Sequence, residues 1–224
     1  MLDASAYLTL GPAVEQYATR GIRIATNRTA GVEAASGSSW TLTAPVTCDT
    51  GATFAKIGAG TVTIAGDCTG ASAMEVAEGT LVLGEYGTFP SGLSVVVSNG
   101  ATLIQRKYIP GLSVTGGGTC VREVRVPYDA AENRADPLDM RDGLPELPMT
   151  VALSESIDIA YFAAHGYDTN RIEVAKLPLD ATAAAGDFED ATEKTYGLPR
   201  THFEIEDKDG YKALVLSINI VASV

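Results

Sequence analysis

Cysteines, carboxylates and histidines are the side chains here that could carry chemistry. Cys48 and Cys68 lie 20 residues apart, at matching places in Val46-Thr47-Cys48 and Gly66-Asp67-Cys68. In a chain that coils with that period, neighbouring strands run about 4.8 Å apart, which puts the two Cα atoms within disulfide range. The pair is then either an inter-coil disulfide of an oxidising compartment or two reduced, stacked, small apolar residues. Side-chain direction at the turn decides between these, and the sequence leaves both open. Cys120 has no partner in this scheme. No Cys-x-x-Cys spacing and no nearby histidine suggests a metal site, so no metal and no cofactor is expected.

The histidines, His165 and His202, come without a Gly-x-Ser-x-Gly elbow or another positioned nucleophile, and read as loop or strand-edge residues. Glycoside cleavage needs two carboxyl groups facing each other across a scissile bond. Asp49, Asp67, Glu75, Glu78 and Glu85 are the candidates. Glu75 points outward on its strand beside the equivalent pair Lys56 and Val76, so no acidic ladder forms, and a solvated face is the expectation. Gly58-x-Gly60 and Gly116-Gly117-Gly118 lack the Lys-Ser/Thr and helix of a phosphate loop. Asp207-x-Asp209-Gly210 lacks the later ligands of a calcium loop and reads as a β-turn. Asn27-Arg28-Thr29 is a glycosylation sequon by letter only. Trp40, Tyr86 and Tyr108 could stack on a sugar. Trp40, in phase with the inward Leu42, is expected inside.

The elements that would position these residues repeat. Ser39-Trp40-Thr41-Leu42-Thr43 is followed by Gly60-Thr61-Val62-Thr63-Ile64, Gly79-Thr80-Leu81-Val82-Leu83 and Gly100-Ala101-Thr102-Leu103-Ile104. Taking Leu42, Val62, Leu81 and Leu103 as equivalent gives spacings of 20, 19 and 22, and Ile22 extends the series upstream. A second strand recurs in step: Thr53 to Ile57, Ala73 to Ala77, Ser94 to Ser98. Such a period signals stacked supersecondary units. Matching residue types (Thr41/Thr61/Thr80, Leu42/Val62/Leu81, Phe54/Met74/Val95) favour parallel stacking. An antiparallel meander would need tight turns at every reversal, and only Asn99-Gly100 qualifies. Residues 20 to about 118 therefore read as a parallel β-helix of four to five coils, with two strands per coil, inward Val, Leu, Ile, Phe and Met, and glycines at the corners.

The run from Lys56-Ile57-Gly58-Ala59-Gly60-Thr61-Val62-Thr63-Ile64 to Gly66-Asp67-Cys68-Thr69-Gly70, continued by Met74 to Gly84 and Val95 to Leu103, resembles the repeat of passenger-associated (autotransporter-associated) proteins. In that family the pattern is Lys-x-Gly-x-Gly-Thr-Leu-x-Leu-x-Gly, then Thr-Gly, a short strand and Gly-x-Leu. The match covers about residues 54 to 104. The resemblance implies a right-handed parallel β-helix in a large exported surface protein of a Gram-negative bacterium. Asp67-Cys68-Thr69 departs from the family's usual Asn-Thr-Tyr. No run of amphipathic ten-residue strands follows, so self-translocation is not implied.

Composition narrows the partners. The 224 residues carry a net charge of −12, with 28 acidic against 16 basic residues. That balance argues against nucleic acid and against an anionic membrane surface, and no stretch is apolar enough to insert in a membrane. Residues 1 to 20 lack a signal-peptide layout. A repeat that starts so near the first residue suggests a piece of a longer exported protein.

The expected layout is all-β: β-helix repeats over 1–118, a Pro-rich linker or surface excursion over 119–149, and an irregular β-rich cap or small domain over 150–224. Within the last part, strands are expected at Thr150 to Ile159, Arg171 to Leu177, Thr201 to Glu206 and Tyr211 to Val221, with a hairpin turn at Asp207-Lys208-Asp209-Gly210 and a short helix from Ala181 to Thr195. The expected role is a non-enzymatic stalk or display scaffold, secreted or on the cell surface, with a surface glycan or another surface protein as partner. The alternative is a carbohydrate-binding or polysaccharide-cleaving module.

Overall fold

A computed structural model describes residues 6–12, 16–144, 147–157, 169–192 and 200–219. The chain divides into two compact units, Met1–Arg122 and Glu123–Val224.

The first unit is a β-solenoid of about five turns built from parallel sheets. One sheet runs β1 (Tyr7–Leu10), β4 (Thr29–Ala34), β7 (Thr53–Ile57), β10 (Ala73–Val76), β12 (Ser94–Val97) and β14 (Ser113–Thr115). A second runs β2 (Gln16–Ala18), β5 (Ser39–Leu42), β8 (Thr61–Ile64), β11 (Thr80–Leu83), β13 (Thr102–Gln105) and the first four residues of β15 (Thr119–Val126). A third, short sheet stacks β3 (Ile22–Ile24), β6 (Val46–Cys48) and β9 (Cys68–Thr69). The early coils therefore carry three strands, not the two expected from the repeat.

Alternation along each strand sends every second residue into one continuous core. Val62, Ile64, Leu81, Leu83 and Leu103 are fully buried from the second sheet, and Phe54, Val76 and Val95 from the first. Each such side chain contributes about 1.5–3 kcal/mol by leaving water. Trp40 packs against this core from the inward side of β5, as expected.

The register matches the reading for Leu81 opposite Val62 and Leu103, and for Met74 opposite Phe54 and Val95. It differs at β5. Trp40, not Leu42, stands opposite Val62, and Leu42 stands opposite Ile64. A slip of two keeps every side chain on its own face, so alternation alone does not detect it. Ile22 is likewise not an equivalent of Leu42; it pairs with Val46 in the third sheet. The early coils are longer for this reason: Tyr7 pairs with Gly31 and Thr29 with Thr53, 24 residues on in each case.

In the second unit the last four residues of β15 pair in parallel with β19 (Met149–Leu153), which pairs with β21 (Phe188–Asp190). β16 (Tyr128–Asp129) and β17 (Arg134–Ala135) form a small antiparallel pair. Residues 119–149 thus include several short strands. A four-stranded sheet takes the order β18 (Leu138–Asp139), β20 (Thr169–Leu177), β23 (Tyr211–Asn219), β22 (Arg200–Lys208). The expected hairpin is present: Lys208 faces Tyr211 across Asp209-Gly210, with Gly210 at φ +83°. The expected helix from Ala181 to Thr195 is not: Ala185–Asp187 makes a single 3-10 turn and Phe188–Asp190 is a strand. Residues 193–195 lie outside the described residues. Phe188 accounts for the difference, because its burial in β21 and its edge-on contact with Phe203 of β22 (centroids 6.2 Å apart) outweigh the helix preference of the alanines before it.

Candidate functional site

Lys56 lies in phase with Phe54 on β7 and so points into the solenoid, stacked between Val32 and Val76. It is fully buried. Its stem packs in the apolar stack, and its ammonium donates to the backbone carbonyls of Gly58, Gly60 (2.6 Å) and Glu78 (2.8 Å). Each of the three ammonium protons therefore has an acceptor, which meets the condition for burying a cation. Burial lowers the amine to about 8, against the opposing pull of the Glu78 charge. The site is a polar clamp on one corner: Lys56, Gly58 and Gly60 belong to one coil, and Glu78 follows the strand stacked next to it. Gly79 completes it, at φ +64° and with no side chain to fill the space the ammonium occupies.

The cysteines do not meet as expected. Cys68 stands opposite Val46, two residues short of Cys48, which by strand spacing separates the two Cα atoms by roughly 8 Å. Both thiols are free and buried in the core. Burial pushes Cys48 up to about 11, with Asp49 adding to it, and Cys68 up to about 12, with Cys48 adding to it. Cys120 is half-buried and stands opposite Leu103.

Of the coil-face carboxylates, Asp49 and Asp67 are each engaged by a separate partner. Asp49 pairs with Arg23 at 3.0 Å. Asp67 accepts from the Thr88 hydroxyl (2.8 Å) and backbone N–H (3.1 Å), and these bonds hold it below the usual carboxylate range. Glu75 sits on the outer face of β10 between Ala55 and Val96. Glu78 is exposed and Glu85 half-buried. Among the described residues no group of three His, Cys, Asp or Glu side chains could hold a metal ion. Tyr86 is 77% exposed and Tyr108 half-buried. His165 lies outside the described residues.

His202 belongs to a second polar arrangement, within the four-stranded sheet. The outward residues of β23, Ala213, Val215 and Ser217, are small and buried. Arg171 of β20 reaches over that row to β22, pairing with Glu204 at 2.8 Å and with Glu206. His202 Nε2 lies 2.9 Å from Glu204, and Lys208 lies 2.7 Å from Glu206. Glu204 is held below its ordinary value chiefly by Arg171, and Glu206 chiefly by Lys208. The result is a run of ion pairs that ties together the two strands flanking β23.

Sequence reasoning missed both arrangements, although each has a signal. Lys56 keeps the parity of Phe54, and His202-x-Glu204-x-Glu206-x-Lys208 alternates with a period of two. Compared with known proteins, the chain matches no family model, no curated protein and no solved structure.

Proposed function

We propose that this chain is a structural and interaction module of a larger secreted or surface protein, with the solenoid serving as a stiff, non-catalytic display scaffold. The supporting observation is the inward stack: apolar residues from successive coils stand in register, and the buried cation among them, Lys56, is satisfied by backbone carbonyls alone. The Lys56 ammonium is thus spent on holding two coils together. The five turns give a rod segment roughly 20–25 Å long at about 4.8 Å per coil. Its likeness to the autotransporter-associated repeat at Lys56 to Gly70 supports the surface setting and a Gram-negative source. The clamp adds to that likeness, because Lys56, Gly58 and Gly60 are the Lys-x-Gly-x-Gly positions of the repeat.

A panel of plant and host polysaccharides tests this reading, scored on the purified chain for new reducing or unsaturated ends. Absence of turnover is the expected result. Product release abolished by Asp67→Asn or Glu75→Gln would replace the scaffold with a polysaccharide-cleaving enzyme acting along the coil face.

A further inference from the structure

Beside the charged hairpin sheet lies a groove that the scaffold reading does not use. It runs between the 133–137 segment and the outward side chains of β20 and β23, and Asn133, Arg134, Arg171, Glu173, Lys176 and Tyr211 line it. Three cations share it with a single carboxylate, in a chain whose net charge is −12.

The cations differ in how fully they are neutralised. Arg171 is held by Glu204 and Glu206. Arg134 is only loosely matched to Glu132, at 3.6 Å with both side chains largely in solvent. Lys176 makes no ion pair among the described residues. Its register neighbour Asp139 is held instead by Arg141, at 2.6 and 2.8 Å. The Lys176 ammonium lies over the Tyr211 ring, 5.6 Å from its centroid. Two loosely matched cations, one of them over an aromatic ring, thus line the same groove.

The remaining groups suit a neutral, hydroxyl-rich neighbour. Glu173 accepts a bond from the Tyr211 hydroxyl (3.2 Å) and keeps further acceptor capacity. Asn133 Oδ1 accepts from Tyr128 Oη and from Asn170 Nδ2, both at 2.8 Å. Those bonds fix the Asn133 side chain and leave its amide NH2 as a donor. A polyanion such as nucleic acid would meet Glu173 in the groove and the acidic charge of the whole chain. A sugar acid would place its carboxylate on Lys176 and Arg134 and its hydroxyls on Glu173 and Asn133.

We propose that this groove is a binding site for a carboxylate-bearing saccharide, with Lys176 and Arg134 reading the carboxylate. The site lies within the second unit and is independent of whether the solenoid acts as a scaffold.

Titration calorimetry on the full chain tests it, using trigalacturonate, its methyl-esterified form, an acetylated polyglutamate peptide and sodium acetate as probes. Trigalacturonate is expected to bind saturably and at least tenfold more tightly than each of the other three, with affinity falling as salt rises. Lys176→Gln and Arg134→Gln should each weaken it at least fivefold with the thermal unfolding midpoint unchanged, while Lys107→Gln, in the first unit, should leave it intact. Equal binding of the ester would overturn the role of the carboxylate. Acetate or polyglutamate binding as tightly as trigalacturonate would overturn the saccharide. No binding of trigalacturonate, or binding indifferent to both substitutions, would overturn the site.

Discussion

A Cβ built on Gly79 would lie 2.5 Å from Lys56 Nζ, and equally close to the carbonyl oxygens of Gly58 and Gly60. Gly79 and Lys56 come from stacked coils, and the missing side chain of one leaves the space that the ammonium of the other fills. Positive φ adds a second reason for glycine, since an L side chain at +64° costs about 1–2 kcal/mol by itself.

Gly79→Ala is therefore expected to destabilise the first unit by about 3 kcal/mol or more. Gly100→Ala is the control: its φ is +81°, but nothing lies within 4 Å of the added carbon. It should cost only about 1–2 kcal/mol. Urea midpoints of the two variants make the comparison, and equal losses would show that the clamp leaves no mark on stability.

Lys56→Met keeps the apolar stem and removes the donors. Three carbonyls then lose their partner, for an expected loss of roughly 2–4 kcal/mol at pH 7. The pH dependence has a definite sign. The folded-state value of about 8 lies below the unfolded value near 10.4. Between those limits the unfolded chain holds more protons, so stability rises with pH. The advantage of wild type over Lys56→Met should accordingly grow from pH 7 to pH 10. A constant difference would mean that the carbonyls keep the amine charged throughout.

Alternation and repetition made the stacked sheets legible. Matching residue types at Val62, Leu81 and Leu103, and at Phe54, Met74 and Val95, gave the true register because each strand presents bulky apolar groups at fixed parity. The third sheet was not legible, because strands such as Cys68–Thr69 are too short to show a period. The two-residue slip at Trp40 preserved every facing, so nothing in the pattern resisted the wrong alignment. Lys56 was placed correctly beside Val76, yet its charge drew attention away from its inward parity. In the charged arch over β23, the alternation from His202 to Lys208 marks the β22 side, but the pairing with Arg171, more than thirty positions away, leaves no local trace.

The thiols offer a chemical check on the third sheet. Cys48 and Cys68 are buried, and burial pushes both above the usual thiol range. Native protein treated with an aromatic disulfide reagent should react at Cys120 first, with the other two following only on unfolding. Mild oxidation should leave Cys48 and Cys68 unbridged. Their rapid joining would contradict the pairing of Cys68 with Val46.

Arg171→Ala should loosen the hairpin sheet. Glu204 and Glu206 have lowered folded-state values, so the stability they contribute is present above the ordinary carboxylate range and lost as pH falls through those values. Wild type and Arg171→Ala should differ most near neutrality and converge in acid. Raised salt should shrink the gap, since these charges are partly in solvent. Hydrogen exchange of the β22 amides reads the effect locally, and a gap that persists at acid pH would assign it to lost packing by the arginine stem.

Stacked coils held by apolar side chains alone could be shuffled like coins in a roll, since one layer of valine and leucine sits as well on another. Lys56 ends that freedom for one layer. Its tip is cut to fit the corner that follows, and that corner is hollowed at Gly79 to receive it. A gene that duplicated or permuted these coils would part key from lock, so the order of the coils is written in a few polar atoms that the hydrophobic stack would never have missed.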